Sequence, residues 1–222
     1  LAGGIAHDFN NILTALSGYT ELVILKAGDN EGIADYLKRI KEATERATNL
    51  VTQILTFSRQ TNHAKRPLQV SFIVKEALKL LRSSIPTSIE IKQDINCQGT
   101  ILADPTQIHQ IVMNLATNAY QAMLETGGIM GVALKEIIID EKDKISEFEI
   151  APGRYLRLEV SDTGYGMDAK TKDNIFDPYF TTKEFNKGTG LGLAMAYGAI
   201  KSNQGIIAVE SCEGEGTGVN IY

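Results

Sequence analysis

The sequence predicts an α+β protein in two parts, a helical hairpin followed by a mixed α/β domain, and three observations carry that prediction. Apolar residues recur at steps of three and four through the N-terminal part. A polar stretch ending in proline, Thr61-Asn-His-Ala-Lys-Arg-Pro67, then interrupts the pattern. Beyond it, strand-like alternation is interleaved with shorter helical stretches and two glycine-rich segments.

In the first part, Ile5, Phe9, Ile12, Leu16, Tyr19 and Val23 fall on one helical face, the spacing of a buried stripe. Gly28-Asp-Asn-Glu-Gly32 supplies turn chemistry. Ile33, Leu37, Ile40, Ala47, Leu50, Ile54 and Phe57 then restart a similar stripe, so two long helices form a hairpin. Two helices cannot cover such stripes alone. Pairing two hairpins into a four-helix bundle buries them, and a homodimer is expected.

The expected boundaries are a hairpin over 1–62, a linker over 63–68 and a second domain over 69–222. In that domain the pattern predicts a helix from Phe72 to Leu81, a strand from Ser88 to Gln93, and a helix opened by Asp104-Pro105 as N-cap and first-turn proline. Strands follow at Gly131 to Ile139 and Tyr155 to Asp162, separated by a charged excursion from Asp140 to Glu149. A helix from Leu191 to Asn203 and strands at Gly205 to Ser211 and Thr217 to Ile221 complete the domain.

Composition narrows the function. The 222 residues are 43% hydrophobic and 22% charged, enough for one large domain or two small ones. Acidic residues number 27 against 22 basic, a net charge of -5 with no basic block, so neither nucleic acid nor an anionic membrane surface is an expected partner. Cys97 and Cys212 stand far apart, without the spacing of a disulfide framework or zinc site. No segment stays apolar for the roughly 18 residues of a spanning helix, so any membrane anchor of the full-length protein is expected outside this sequence, and the charge balance favours a cytoplasmic location for this fragment. The chain opens inside a helical pattern and closes inside a strand pattern, and reads as a fragment.

The chemistry lies in four segments. Asn114, Asn118 and Gln121 make a polar stripe on the helix after Pro105, beside apolar Ile108, Val112, Leu115 and Ala119. This is either a ligand-facing row of amides or a solvated face. Asp162-Thr-Gly-Tyr-Gly-Met-Asp168 ends a strand with a carboxylate and two glycines, where a ligand can approach backbone closely. Lys187-Gly-Thr-Gly-Leu-Gly-Leu193 runs into a helix, where exposed amides favour phosphate. It lacks the lysine and hydroxyl of a P-loop and follows no strand, so a different nucleotide fold is implied.

Asn114-Leu-Ala-Thr-Asn-Ala119, Asp162-Thr-Gly-Tyr-Gly166, Phe176-Asp-Pro-Tyr-Phe180 and Gly188-Thr-Gly-Leu-Gly192 resemble, in order and spacing, the N, first glycine, F and second glycine boxes of histidine kinases. Gly4-Ile-Ala-His7-Asp-Phe-Asn-Asn11 resembles their phosphoacceptor box. The resemblance covers nearly the whole chain. It implies a dimeric phosphoacceptor hairpin followed by an α/β sandwich ATP-binding domain of the type shared with gyrase and the heat-shock 90 chaperones.

The resemblance implies ATP and Mg²⁺ as ligands, His7 as phosphoacceptor, and an aspartate of a receiver domain as the next acceptor. That receiver would be a separate protein or, as in hybrid kinases, a later part of the same chain. Asp8 would act as general base or orienter of His7, and Asn11, one helical turn on, would hold water against a phosphoaspartate in a phosphatase reaction. Asn118 would ligate magnesium, with Asn114 near the phosphates. Asp162 would accept from the adenine amino group, with Gly164 and Gly166 permitting close approach and Thr217 supporting the adenine side through water. Gly188, Gly190 and Gly192, with the amides of Thr189 and Leu191, would cradle phosphate.

One departure stands out. The family often carries a cation three residues after the magnesium asparagine, where this chain has Gln121, so Lys183 is the expected substitute and Lys187 a second candidate. Phe176 and Phe180 are expected to anchor a lid and also to pack in the core. His63 and His109 match no box. Two alternatives are an ATP-binding dimeric scaffold without transfer, signalled by a missing box, and a gyrase-like ATPase, which would carry a water-activating glutamate where Asn114 stands.

Overall fold

The computed structural model describes residues 12–23, 33, 36, 37, 40, 41, 44, 65–140, 150–182 and 189–222. The chain divides into two units, residues 1–63 with 183–189 and residues 64–182 with 190–222.

In the first unit residues 12–23 are helical, as are 33, 36, 37, 40, 41 and 44. Leu13 and Leu37 are buried. Ile5 and Phe9 of the first stripe, and Ala47, Leu50, Ile54 and Phe57 of the second, lie outside the described residues. The described members of the first stripe, Ile12, Leu16, Tyr19 and Val23, are exposed at 58%, 46%, 70% and 47%. Ile33 and Ile40 of the second stripe are also exposed, and the cause is that two helices offer too little surface to cover both faces. The buried hydroxyls of Thr20 and Thr44 are satisfied locally, donating to the carbonyls of Leu16 and Ile40 at 2.7 and 2.8 Å. Lys41 bonds Glu21 at 2.7 Å and holds that carboxyl below its ordinary range, an exposed pair of little energetic weight.

The second unit runs β1 (Arg66–Gln69), α1 (Val70–Arg82), β2 (Ile89–Asp94), β3 (Thr100–Ala103), α2 (Pro105–Ala122), β4 (Gly128–Ile139), β5 (Gly153–Asp162), α3 (Ala169–Asn174), α4 (Gly192–Ser202), β6 (Ile207–Cys212) and β7 (Gly216–Ile221). Five strands form one sheet in the order β2-β4-β5-β7-β6, with β2 and β4 parallel and the other pairs antiparallel. β1 and β3 pair separately as an antiparallel ribbon. Residues 66–68 therefore belong to a strand, although the stretch containing them reads as a linker by composition.

Alternation along β4 and β5 turns Met130, Val132, Leu134, Leu158 and Val160 to one face of the sheet, where they are buried. Val74, Ala77, Leu78 and Leu81 of α1, Ile108, Val112, Leu115 and Ala119 of α2, and Ala196, Ala199 and Ile200 of α4 complete the same core. The result is a two-layer sandwich of helices on a sheet. Small residues on α2 and α4, Ala116, Ala119, Ala196 and Ala199, are nearly inaccessible and let these helices approach the sheet closely. α2 starts where the sequence predicts, with Asp104 Oδ1 accepting from the Thr106 amide at 2.8 Å and Pro105 in the first turn.

Candidate functional site

The candidate residues of the second unit converge on one end of the sandwich, and α2 is the element that aligns them. Asn114, Asn118 and Gln121 are all half-buried on this helix. Asn114 Nδ2 donates to the Gly192 carbonyl at 2.9 Å, tying the middle of α2 to the first residue of α4. Two turns further on, Ala122 lies against Gly164, where a Cβ would come within 2.6 Å of both the Ala122 Cβ and its carbonyl oxygen. Asn114 and Ala122 are separated by about 12 Å along the helix axis. Asn118 lies midway, between the segment that ends in Gly192 and the turn that begins at Asp162.

Asp162 ends β5 and is partly buried. Its Oδ1 accepts from the Gly164 amide at 2.9 Å, and the Thr217 amide donates to the same carboxylate. Burial nevertheless dominates and pushes the carboxyl above its ordinary value, the two amide donors offsetting part of that rise. The Tyr165 phenol is raised as well, by burial first and by the Asp162 charge second. An ionised carboxylate here seeks a hydrogen-bond donor from a ligand.

Gly166 is buried with φ of 63°, and a Cβ there would run into the backbone carbonyl of Cys212. The turn after β5 is thereby pressed against the β6–β7 turn, an arrangement reinforced by the Gly214 amide donating to the Tyr165 carbonyl at 2.8 Å. Gly190 is closed on by Tyr179, whose amide donates to the Gly190 carbonyl at 3.0 Å, and a side chain at Gly190 would meet the carbonyls of Tyr179 and Phe180 at 2.6 and 2.7 Å. Leu191 caps α4 without a side-chain bond, and the first intrahelical bond is from the Met195 amide to the Leu191 carbonyl, which leaves the leading amides of the helix available to an anion. Thr189 is half-buried.

Phe176 packs on the core and against Tyr197 of α4, with ring centroids 4.9 Å apart, and the Lys201 ammonium lies 5.4 Å from the Tyr197 ring. Phe180 is half-buried. The segment between the first glycine turn and these aromatics is more regular than its sequence suggests. It contains α3, capped by Asp168, whose carboxylate accepts from the Thr171 amide at 2.7 Å and is held below its ordinary range mainly by Thr171.

Asn114, Asn118, Asp162, Gly164, Gly166, Gly190, Leu191, Gly192 and Thr217 thus lie on elements that meet at this end of the unit. His7, Asp8, Asn11, Lys183, Lys187 and Gly188 lie outside the described residues. The residue that sequence reasoning missed is Ser211, whose hydroxyl is 2.9 Å from that of Thr217. Only the strand register, which makes the two direct partners, reveals it. Among the described residues no group of three or more His, Cys, Asp or Glu could hold a metal ion, and no helix is long and apolar enough to cross a membrane.

Comparison with known proteins gives two family matches: residues 103–222 match the histidine kinase-, DNA gyrase B-, and HSP90-like ATPase family, and residues 1–63 match the His Kinase A (phospho-acceptor) domain. Sensor kinase CckA of Brucella abortus (strain 2308) is 38% identical over all of this chain and 24% of its own length. Sensor histidine kinase ZraS of Escherichia coli (strain K12) is 30% identical over all of this chain and 44% of its own. The chain therefore spans less than half the length of these relatives. Among solved structures, full-length ShkA in complex with AMPPNP aligns over 99% of this chain and 44% of its own with a TM-score of 0.71 at 23% identity. The catalytic domain of histidine kinase ThkA aligns over 71% of this chain and 93% of its own with a TM-score of 0.55 at 26% identity.

Proposed function

Since this chain belongs to the sensor histidine kinases and carries their catalytic core, we propose that it transfers the γ-phosphate of ATP to His7 and then to an aspartate of a response-regulator receiver domain. The observation that carries this reading is the alignment of three ligand-holding elements along α2: the start of α4 at Asn114, Asn118 between, and the Asp162 turn at Ala122. We place an extended nucleoside triphosphate along that span, base at the Asp162 end and phosphates at the α4 end.

The ionised Asp162 accepts from the adenine amino group, and the free amides at the start of α4 receive phosphate oxygens. The donor set fits a hard cation held jointly with the nucleotide: the Asn118 amide oxygen supplies a protein ligand, and phosphates and waters supply the others. Mg²⁺ there would neutralise charge on the β- and γ-phosphates. A neutral His7 attacks the γ-phosphorus, forming an N–P bond as the bond to the β–γ bridging oxygen breaks and ADP leaves. Asp8 accepts the proton from the other ring nitrogen, and Asn11 orients water in a separate phosphatase reaction, in which that water attacks the receiver's phosphoaspartate and releases inorganic phosphate.

The domain limits we propose are 1–62 for the dimerising hairpin and 69–222 for the catalytic domain, to which β1 adds residues 66–68. The exposed Ile12, Leu16, Tyr19 and Val23 support a homodimer through the hairpin. A cytoplasmic site of action fits a receiver partner. Lys183 is proposed to supply the phosphate-facing cation that Gln121 does not. Neither the silent scaffold nor the gyrase-like clamp is favoured, since phosphoacceptor and ATPase modules both match.

The test is incubation with γ-labelled ATP and magnesium beside His7→Ala and Asn118→Ala. Acid-labile, base-stable label on the wild type that disappears in both variants is the expected result. A folded wild type that binds ATP and takes no label would overturn the proposal.

A further inference from the structure

Asp162, Thr217 and Ser211 stand in one row across three strands. Asp162 on β5 is the register partner of Thr217 on β7, which is in turn the partner of Ser211 on β6. Direct partners in antiparallel strands carry their side chains on the same face. The Ser211 and Thr217 hydroxyl oxygens are 2.9 Å apart, and Ser211 Oγ lies 3.0 Å from the Gly216 carbonyl oxygen, to which it donates.

A hydroxyl has one proton and a carbonyl has none. With the Ser211 proton directed to Gly216, the contact between the two hydroxyls is a hydrogen bond only when Thr217 donates. β7 lies between β6 and β5, so the Thr217 proton points away from Asp162. What Thr217 offers a ligand on the Asp162 side is lone pairs.

We propose that Ser211 is a positioning residue for base selection: by accepting the Thr217 proton it makes the Asp162–Thr217 row an edge of acceptors only. At the purine 6-substituent such an edge suits a 6-aminopurine, whose exocyclic amino group donates, and disfavours a 6-oxopurine, whose carbonyl accepts at the same place. Neither side chain could do this alone, because an unpaired threonine hydroxyl turns to donate or accept as its ligand requires. The inference rests on the proposed reading of Asp162 and Thr217 as the adenine end of the site.

The experiment measures dissociation constants of ATP and ITP by competition against a fluorescent ATP analogue, for the 222-residue chain and for Ser211→Ala, Ser211→Cys, Ser211→Thr and Asp162→Asn. In Ser211→Ala the ratio of ITP to ATP dissociation constants should fall by about fivefold or more, the worth of one redirected hydrogen bond. Ser211→Cys, whose thiol is a weak partner, should follow it and gives the reading if the alanine variant does not fold. Ser211→Thr should restore the wild-type ratio. Equal weakening of both nucleotides, with the ratio unchanged in the alanine and cysteine variants, would show a merely structural serine and overturn the inference. In that case a ratio that still collapses in Asp162→Asn leaves the adenine reading standing. A ratio unmoved by Asp162→Asn removes the adenine reading and the inference with it.

Discussion

Three glycine-to-alanine substitutions separate the energies that hold the first glycine turn in place. Gly198 lies within α4, with nothing inside 4 Å of an added Cβ, so alanine there gains helix propensity of about 0.5–1 kcal/mol. Gly214 has φ of 81° and likewise open space, so alanine there meets only the left-handed backbone penalty of about 1–2 kcal/mol. Gly166 has φ of 63°, and its Cβ meets the Cys212 carbonyl group and, at 3.1 Å, the Gly216 oxygen. Those obstacles are backbone, unable to swing aside as a side chain would. An overpacking cost of about 1–3 kcal/mol is therefore added to the same backbone penalty, for a total of about 2–5 kcal/mol. Urea unfolding of the three variants should rank them Gly198→Ala above wild type, Gly214→Ala below it and Gly166→Ala lowest. Nucleotide affinity should fall only in Gly166→Ala, because only there is the Asp162 turn displaced. If Gly166→Ala and Gly214→Ala lose equal stability, the turn is not pressed on the β6–β7 backbone and the reasoning fails.

Asp162→Asn should weaken ATP by about 10- to 100-fold, the loss of a hydrogen bond to a charged acceptor, read by equilibrium binding. It should also flatten the pH dependence of stability. Burial holds the Asp162 pKa above 3.8 in the fold, so its contribution is fully present below that value and is lost as pH rises through the folded pKa, a slope that melting curves across acidic pH would show only with aspartate present. Asp168 has the opposite sign. Its pKa is lowered, so its cap on α3 acts above 3.8 and is lost as pH falls through the folded pKa, and Asp168→Ala should speed hydrogen exchange at the Thr171 amide at neutral pH. Asn114→Ala removes the tie to Gly192 and should lower autophosphorylation by about tenfold, roughly one hydrogen bond, with thermal unfolding little changed.

Much of this architecture is legible in the residues because local and tertiary demands agree. Asp104 and Pro105 announce α2, and the alternation of Met130, Val132 and Leu134 announces both β4 and its buried face. The box residues point to the proposed site through their resemblance to the family's motifs, whereas by spacing alone Asn114, Asn118 and Gln121 read equally as a solvated face. β1 and β3 are different. At four residues each, Arg66–Gln69 and Thr100–Ala103 are too short to carry a period, and they become strands through pairing with each other across more than thirty positions of sequence. α3 is similarly short, and none of its residues is buried, so no apolar period marks it. The N-terminal stripe shows a further limit: spacing identifies the face of a helix that avoids water but not which molecule covers it. Ser211 escapes for a related reason, because its importance lies in the direction of a proton, fixed by register between two strands.

The stack of Tyr197 on Phe176 has an optical consequence. Tyr197 belongs to the helix whose first residue bonds Asn114, and the chain contains no tryptophan. Indole in place of the phenol would therefore be the one indole of the chain, excited selectively at the red edge of tyrosine absorption, beside an ammonium that quenches and shifts according to its distance from the ring. Tyr197→Trp would turn α4 into its own spectroscopic gauge, so that nucleotide arrival at the start of the helix could be timed by stopped-flow emission from its middle, without a labelled ligand.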